Sequence, residues 1–367
     1  MPVRSKWQSL PTEAINPSTL GIDKLSAADI VDVMFNEDRK MLAAVQRERE
    51  RIAVGVEMLS TALRKGGRII FVGAGTSGRL GILESAEMPP TFSTNPTLVQ
   101  AIMAGGRDAI FAAKEGVEDN YEEGARAVTR LSPAKRDVVI GVSASGMTPF
   151  VRGALTRSRK AGARVIFVTC DPGTELQTFV DLTISPGVGA EVIAGSTRLK
   201  AGTATKLVLN MLTTGAMVRI GKTYGNLMVD VQTGSEKLKD RACRIVNIVT
   251  GLEYDEAEKL LKRAQWNVKA AIVMQKTGLS YLKAISRLRK SHDSMREALG
   301  EDIEPRLRGL LQGHAEASSL NGDGHVRRHA VRPPEHVELE PTPPEEVEVK
   351  KPAPRRRIVR QRKTVND

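Results

Sequence analysis

The sequence predicts an α/β protein: a doubly wound parallel sheet of five strands, N-terminal helices, a small C-terminal helical bundle and a disordered tail. Three observations carry this. Five short β-branched runs recur between residues 68 and 184, and helix-length stretches separate them. Continuous apolar runs of that kind belong to parallel strands buried on both faces. Strand signals stop after residue 235, and beyond 300 the composition turns to proline and charge, with eight of the chain's 18 prolines in 301–367.

The elements follow in order. Residues 1–25 are irregular, punctuated by Pro2, Pro11 and Pro17. Ser26 with Asp29 three positions on resembles a capping box, and apolar residues at helical spacing run from Ile30 to Leu63. The strand runs are Arg68–Val72, Leu98–Met103, Asp137–Val142, Arg164–Thr169 and Asp181–Ile184. The helix that follows Gly78 is expected to stop at Pro89-Pro90, and a long helix from about Leu199 to Ile220 closes the sheet region. Leu252–Met274 again has helical spacing. The expected divisions are an N-terminal arm and helices (1–44), the sheet domain (45–235), a small helical, UBA-like domain (236–300) and a tail (301–367).

Composition narrows the chemistry. The 367 residues are 41% hydrophobic and 27% charged, enough to bury a core. No apolar run reaches bilayer-spanning length, and MPVRSKWQSLPTEA lacks the apolar stretch of a secretory signal. Cys170 and Cys243 form neither a disulfide framework nor a metal motif, which suits a reducing cytoplasm. All five histidines lie at residue 292 or later, so Ser-His-Asp and Cys-His nucleophile systems are excluded from the body. Proton transfer there falls to Glu, Asp, Lys or Tyr, and no metal or cofactor is expected.

Net charge is +12, but residues 1–300 scatter 42 basic and 31 acidic side chains, and aromatics are only 4%. A stacking platform for single strands is poorly supported, and attraction of an anionic small molecule explains the excess as well. The basic terminus KKPAPRRRIVRQRK can be read as a contact for nucleic acid or a membrane surface; a solvated polyampholyte is the favoured reading.

Two loops carry the functional signal. The first strand runs into Gly73-Ala74-Gly75-Thr76-Ser77-Gly78, and the third ends in Ser143-Ala144-Ser145-Gly146-Met147-Thr148. A dinucleotide site needs an acid at the end of the second strand, where this chain has Ala104-Gly105-Gly106. Hydroxyls with backbone N–H groups suit a terminal phosphate monoester instead, although serine and glycine also make ordinary tight turns. Acids stand nearby: Glu84 and Glu87 three apart on one helix, and Glu115, Glu118 and Asp119 further on. Each alone is read equally well as a solvated helix carboxylate.

These segments, GAGTSGRLGIL (73–83), PPTF (89–92), EGVED (115–119), Ser143–Phe150, EVIAGSTRLKAGTATKLVLN (191–210) and GNLMVDV (225–231), resemble the N-acetylmuramic acid 6-phosphate etherases of the sugar isomerase (SIS) superfamily. The resemblance covers about Thr12 to Leu288 and says nothing of the tail. It implies a metal-free, lyase-type cleavage of a phosphorylated amino sugar that carries D-lactate as an ether at C3. Glu87 matches the family's catalytic acid and Glu118 its partner acid or base. Thr76, Ser77, Ser143, Ser145 and Thr148 would hold the phosphate. Lys200 would add a cation there, unless it is an ordinary lysine at a helix start. The fold and the apolar closing helix suggest a homodimer whose partner helps complete the site. The chain departs from the family at Met147, where arginine is common and a contact to the lactyl carboxylate is expected. It departs too at Glu84 (usually Asp), Met88 (often Cys) and Gly234-Ser235 (usually Thr-Asn). Two other readings compete: a sugar-phosphate isomerase, which often recruits histidine, and a non-catalytic sugar-phosphate sensor resembling the glucokinase regulatory protein.

Overall fold

The computed structural model describes residues 10–320, and side-chain surroundings through residue 312. After three short 3₁₀ turns, α1 (Ala27–Arg47) and α2 (Arg49–Arg64) lead to β1 (Ile69–Gly73). Then come α3 (Gly75–Phe92), β2 (Val99–Met103), α4 (Asp108–Phe111), α5 (Tyr121–Arg130) and β3 (Val138–Val142). α6 (Pro149–Lys160), β4 (Arg164–Val168), β5 (Leu182–Ile184) and α7 (Lys200–Arg219) complete the sheet region. The bundle is α8 (Glu236–Thr250), α9 (Tyr254–Arg263), α10 (Val268–Thr277), α11 (Tyr281–Lys290) and α12 (Met295–Leu299), and α13 (Glu304–Leu320) follows in the chain.

The strands lie in the order β2-β1-β3-β4-β5, all parallel. Alternate residues of each strand feed two apolar cores. Ile69, Phe71, Ile140 and Ile166 pack against α1, α2, α3 and α7, while Ile70, Val72, Val139 and Phe167 pack against α5 and α6. The near-continuous apolar runs follow from this, because both faces of every central strand are covered. β3 must lie beside β1, with Gly73 opposite Val142, so the two hydroxyl loops leave neighbouring strands at the same edge of the sheet. That edge is the crevice where open α/β sheets place ligands.

Three expectations need correction. α3 does not stop at Pro89-Pro90 but carries both prolines in its last turn and ends at Ser93, whose left-handed backbone (φ 47°) caps it. Proline removes a donor and crowds the preceding turn, and a final turn tolerates both better than a helix interior does. The division at residues 44 and 45 falls inside α1, whose Met41 and Val45 belong to the sheet core. The tail does not begin at 301: Ile303 is buried and α13 follows, with Arg296 pairing with Asp302 and Glu304. Residues 321–367, where the rest of the tail lies, fall outside the described residues.

Ser26 caps α1 by accepting from the Asp29 amide at 3.2 Å. A third apolar core gathers α8–α12 with Tyr224, Val229 and Val231, and the Lys269 ammonium donates to the carbonyls of Gly221 and Asp293 at 2.8 Å each. No described helix is long and apolar enough to cross a membrane.

Candidate active site

The first hydroxyl loop is shaped by two glycines. A Cβ on Gly73 would lie 2.7 Å from the Gly78 amide nitrogen, and one on Gly78 would lie 2.9 Å from the Gly73 carbonyl. Strand end and helix start therefore approach more closely than any side chain permits. The α3 N-terminus has no side-chain cap and no acid in its first turn, leaving its N–H groups, with the Thr76 and Ser77 hydroxyls, to face the crevice.

The second loop has the same logic. Thr148 occupies the N-cap position of α6 but makes no capping bond. Its hydroxyl instead pairs with that of Ser143 at 2.7 Å, and Ser143 lies 3.5 Å from the Ser145 hydroxyl. The loop is pinned from behind, where the Thr174 hydroxyl donates to the Gly146 carbonyl at 2.9 Å. By contrast, the α7 N-terminus is already occupied: the buried Glu191 carboxylate accepts from the Lys200 and Ala201 amides at 3.0 and 2.9 Å.

Between the loops is a cavity of about 690 Å³. Thr76, Ser77, Ser143, Ser145 and Thr148 all line it, as does Glu118. Glu118 is half-buried on a short 3₁₀ turn, Val117–Asp119, which Gly116 opens with a left-handed backbone (φ 79°). Two cations share the cavity. Arg79 spends its guanidinium on the carbonyls of Ile110, Ala109 and Ala112, fixing the segment before Glu118. Lys114 sits 3.1 Å from the exposed Asp108.

Not every expected residue joins them. Glu87 is exposed on α3 and is not among the residues that line the cavity. It stands eleven positions beyond Thr76, about 16 Å along the helix axis. Its neighbour Glu84 is 3% exposed and bound to α7 through Lys206 at 2.9 Å and the Thr213 hydroxyl, so it serves packing. Lys200 must be withdrawn as a phosphate cation. Its ammonium is buried 2.7 Å from Glu37 and does not reach the cavity, because the α7 start turns that side chain toward α1. Met147 does not line the cavity either.

Sequence reasoning missed Glu13, Gly195 and Thr197, which do line it. The 195–197 stretch lies in a segment quoted for its resemblance, but no local pattern tied it to the irregular arm that carries Glu13.

Residues 51–159, which include both loops, Glu87 and Glu118, match the model of the glucokinase regulatory protein N-terminal SIS domain. The chain is 46% identical over 297 residues to the N-acetylmuramic acid 6-phosphate etherase of Microcystis aeruginosa, covering 80% of this chain and 97% of that one. It is 47% identical over 292 residues to the enzyme of that name from Clostridioides difficile (80% and 96%), and 45% identical over 295 residues to N-acetylmuramic acid 6-phosphate etherase 2 of Vibrio cholerae (80% and 96%). The chain belongs to the N-acetylmuramic acid 6-phosphate etherase family.

Proposed function

We propose that this protein is an N-acetylmuramic acid 6-phosphate etherase, a carbon–oxygen lyase of cell-wall amino sugar recycling. The observation that carries the reading is one cavity that joins the five hydroxyl side chains of the two loops, two uncapped helix N-termini and the Glu118 carboxylate. Hydroxyls and helix N-termini suit a phosphate monoester, and a carboxylate in the same cavity can work on the sugar.

In the opened sugar the aldehyde acidifies the C2–H bond. Glu118 takes that proton, the lactyl oxygen leaves C3 as it accepts a proton from an acid, and a C2–C3 double bond forms. Water then adds across it, its oxygen to C3 and a proton to C2, giving N-acetylglucosamine 6-phosphate and D-lactate. Family resemblance assigns the acid to Glu87. Since Glu87 lies outside its own chain's cavity, we propose a homodimer in which Glu87 of the partner subunit serves each site. Exposed Val31, Phe35 and Leu42 of α1, Leu83 of α3 and Met211 of α7 support this, because these three helices pack on one face of the sheet.

The proposed chemistry calls for carboxylates alone, and the reaction is proposed to be metal-independent, with a rate unchanged by EDTA. The buried free thiols Cys170 and Cys243 suit a cytoplasmic setting. The test is incubation with N-acetylmuramic acid 6-phosphate. Prompt D-lactate release is expected, whereas tight sugar-phosphate binding without turnover would establish a sensor.

A further inference from the structure

We infer that Glu13, on the N-terminal arm, is a substrate-binding residue whose carboxylate accepts hydrogen bonds from the hydroxyl or amide donors of the phosphorylated sugar. The inference rests on the reading of the cavity as a sugar-phosphate site and adds a wall to it.

Glu13 lines the same cavity as Ser143, Ser145 and Glu118, although it belongs to a segment outside the sheet domain. The arm is held there by bonds on both sides of it. The Gly195 amide donates to the Thr12 carbonyl at 3.1 Å, and the Thr19 hydroxyl donates to the Val192 carbonyl at 2.9 Å. The Asn16 amide donates to the Ala190 carbonyl at 3.3 Å and to Glu37 at 2.9 Å. Leu10 and Thr12 are buried, while Glu13 between this anchor and the cavity is exposed. None of these bonds uses the Glu13 carboxylate, so the anchoring presents that group and does not consume it.

The opposing backbone is cut to fit. Gly195 has φ +75°, and a Cβ there would stand 2.9 Å from Glu13 Oε2. The carboxylate thus rests over a residue whose left-handed backbone favours glycine. A carboxylate is an acceptor, so its ligands must be donors. With the phosphoryl end taken by the hydroxyl loops, the donors that the substrate has left for Glu13 are those of the sugar chain. A negative group on this wall also turns the lactyl carboxylate away from it.

The test uses the full chain with Glu13→Ala and Glu13→Gln, and reads D-lactate release together with competitive inhibition by N-acetylglucosamine 6-phosphate and by inorganic phosphate. For Glu13→Ala, KM and the sugar-phosphate inhibition constant should each rise about tenfold, as for loss of one charge-assisted hydrogen bond, with kcat within about threefold. Glu13→Gln, which keeps one acceptor oxygen, should fall between. Inhibition by inorganic phosphate, which has no sugar donors, should not move. Unchanged sugar-phosphate inhibition would overturn the inference. So would a fall in kcat at constant KM, which marks proton transfer, or an equal loss for inorganic phosphate, which marks collapse of the arm. If the parent chain binds N-acetylglucosamine 6-phosphate but releases no lactate, the etherase reading fails, while calorimetric titration of the parent and both variants with N-acetylglucosamine 6-phosphate and with inorganic phosphate still decides the role of Glu13.

Discussion

The ammonium of Lys200 lies 2.7 Å from the carboxylate of Glu37, and each side chain is 3% exposed. This pair joins the middle of α1 to the first residue of α7. Lys40 and Asn16 also donate to Glu37, so the same carboxylate holds the arm in place. Removing one member of a buried pair leaves a charge without compensation, at a cost of about 3–5 kcal/mol, whereas an apolar replacement of both is far milder. Glu37→Met, which leaves the buried Lys200 ammonium without its partner, should therefore lower the denaturation midpoint more than Glu37→Met/Lys200→Met does. Equal stability of Glu37→Met and the parent protein would show that the pair contributes nothing.

The same carboxylate sets an acid limit. Burial alone would raise the Glu37 pKa, but hydrogen bonds from Lys200, Lys40 and Asn16 outweigh it and hold the group down at about 2 against its ordinary 4.5. Burial likewise works against Asp137, and Arg68 with two backbone amides outweighs it, so that carboxyl is lowered too. A depressed folded pKa stabilises fully above the unfolded value and loses that stabilisation as pH falls through the folded one. For Glu37 this is about 3 kcal/mol lost between pH 4.5 and 2. Unfolding free energies measured from pH 6 to 2 should fall steeply there, and Glu37→Gln should flatten the limb. An identical acid limb in the variant would sink the assignment.

The phosphate cradle predicts a binding defect without loss of fold. Ser77 and Ser145 line the cavity from separate loops. Each hydroxyl contributes about 1 kcal/mol net, so Ser77→Ala with Ser145→Ala should weaken N-acetylglucosamine 6-phosphate by about thirtyfold in Kd. Calorimetric titration measures this directly, and an unchanged Kd removes the cradle.

The fold was legible because each strand announces itself by burial on both faces, and the two loops because glycine and hydroxyl residues follow directly on strands β1 and β3. Lys200 was misjudged for a physical reason. Position in a motif near a helix start says nothing about which way a side chain leaves, and its partner Glu37 is 163 residues away. Glu13 was invisible for the same cause, since bonds from Asn16 and Thr19 to residues 190 and 192 bring the arm to the cavity. Glu84 and Glu87 look equivalent at three residues' spacing, yet one is buried against Lys206 and the other faces outward.

That outward face gives the sharpest test of the assembled site. Within one chain Glu118 lines the cavity, while Glu87 stands about 16 Å along α3 from the phosphate loop. Under the proposed homodimer, a catalytic Glu87 comes from a second copy across a two-fold axis. Glu87→Gln and Glu118→Gln should each lower turnover by about 10²-fold or more. When equal amounts of the two variants are unfolded together and refolded, about half of the dimers are mixed, and one site in each has both glutamates intact. Activity should then return to about a quarter of the parent value. If each chain used its own pair, every site in the mixed dimer would lack one glutamate. The mixture would then stay as inactive as either variant alone, and the composite site would be excluded.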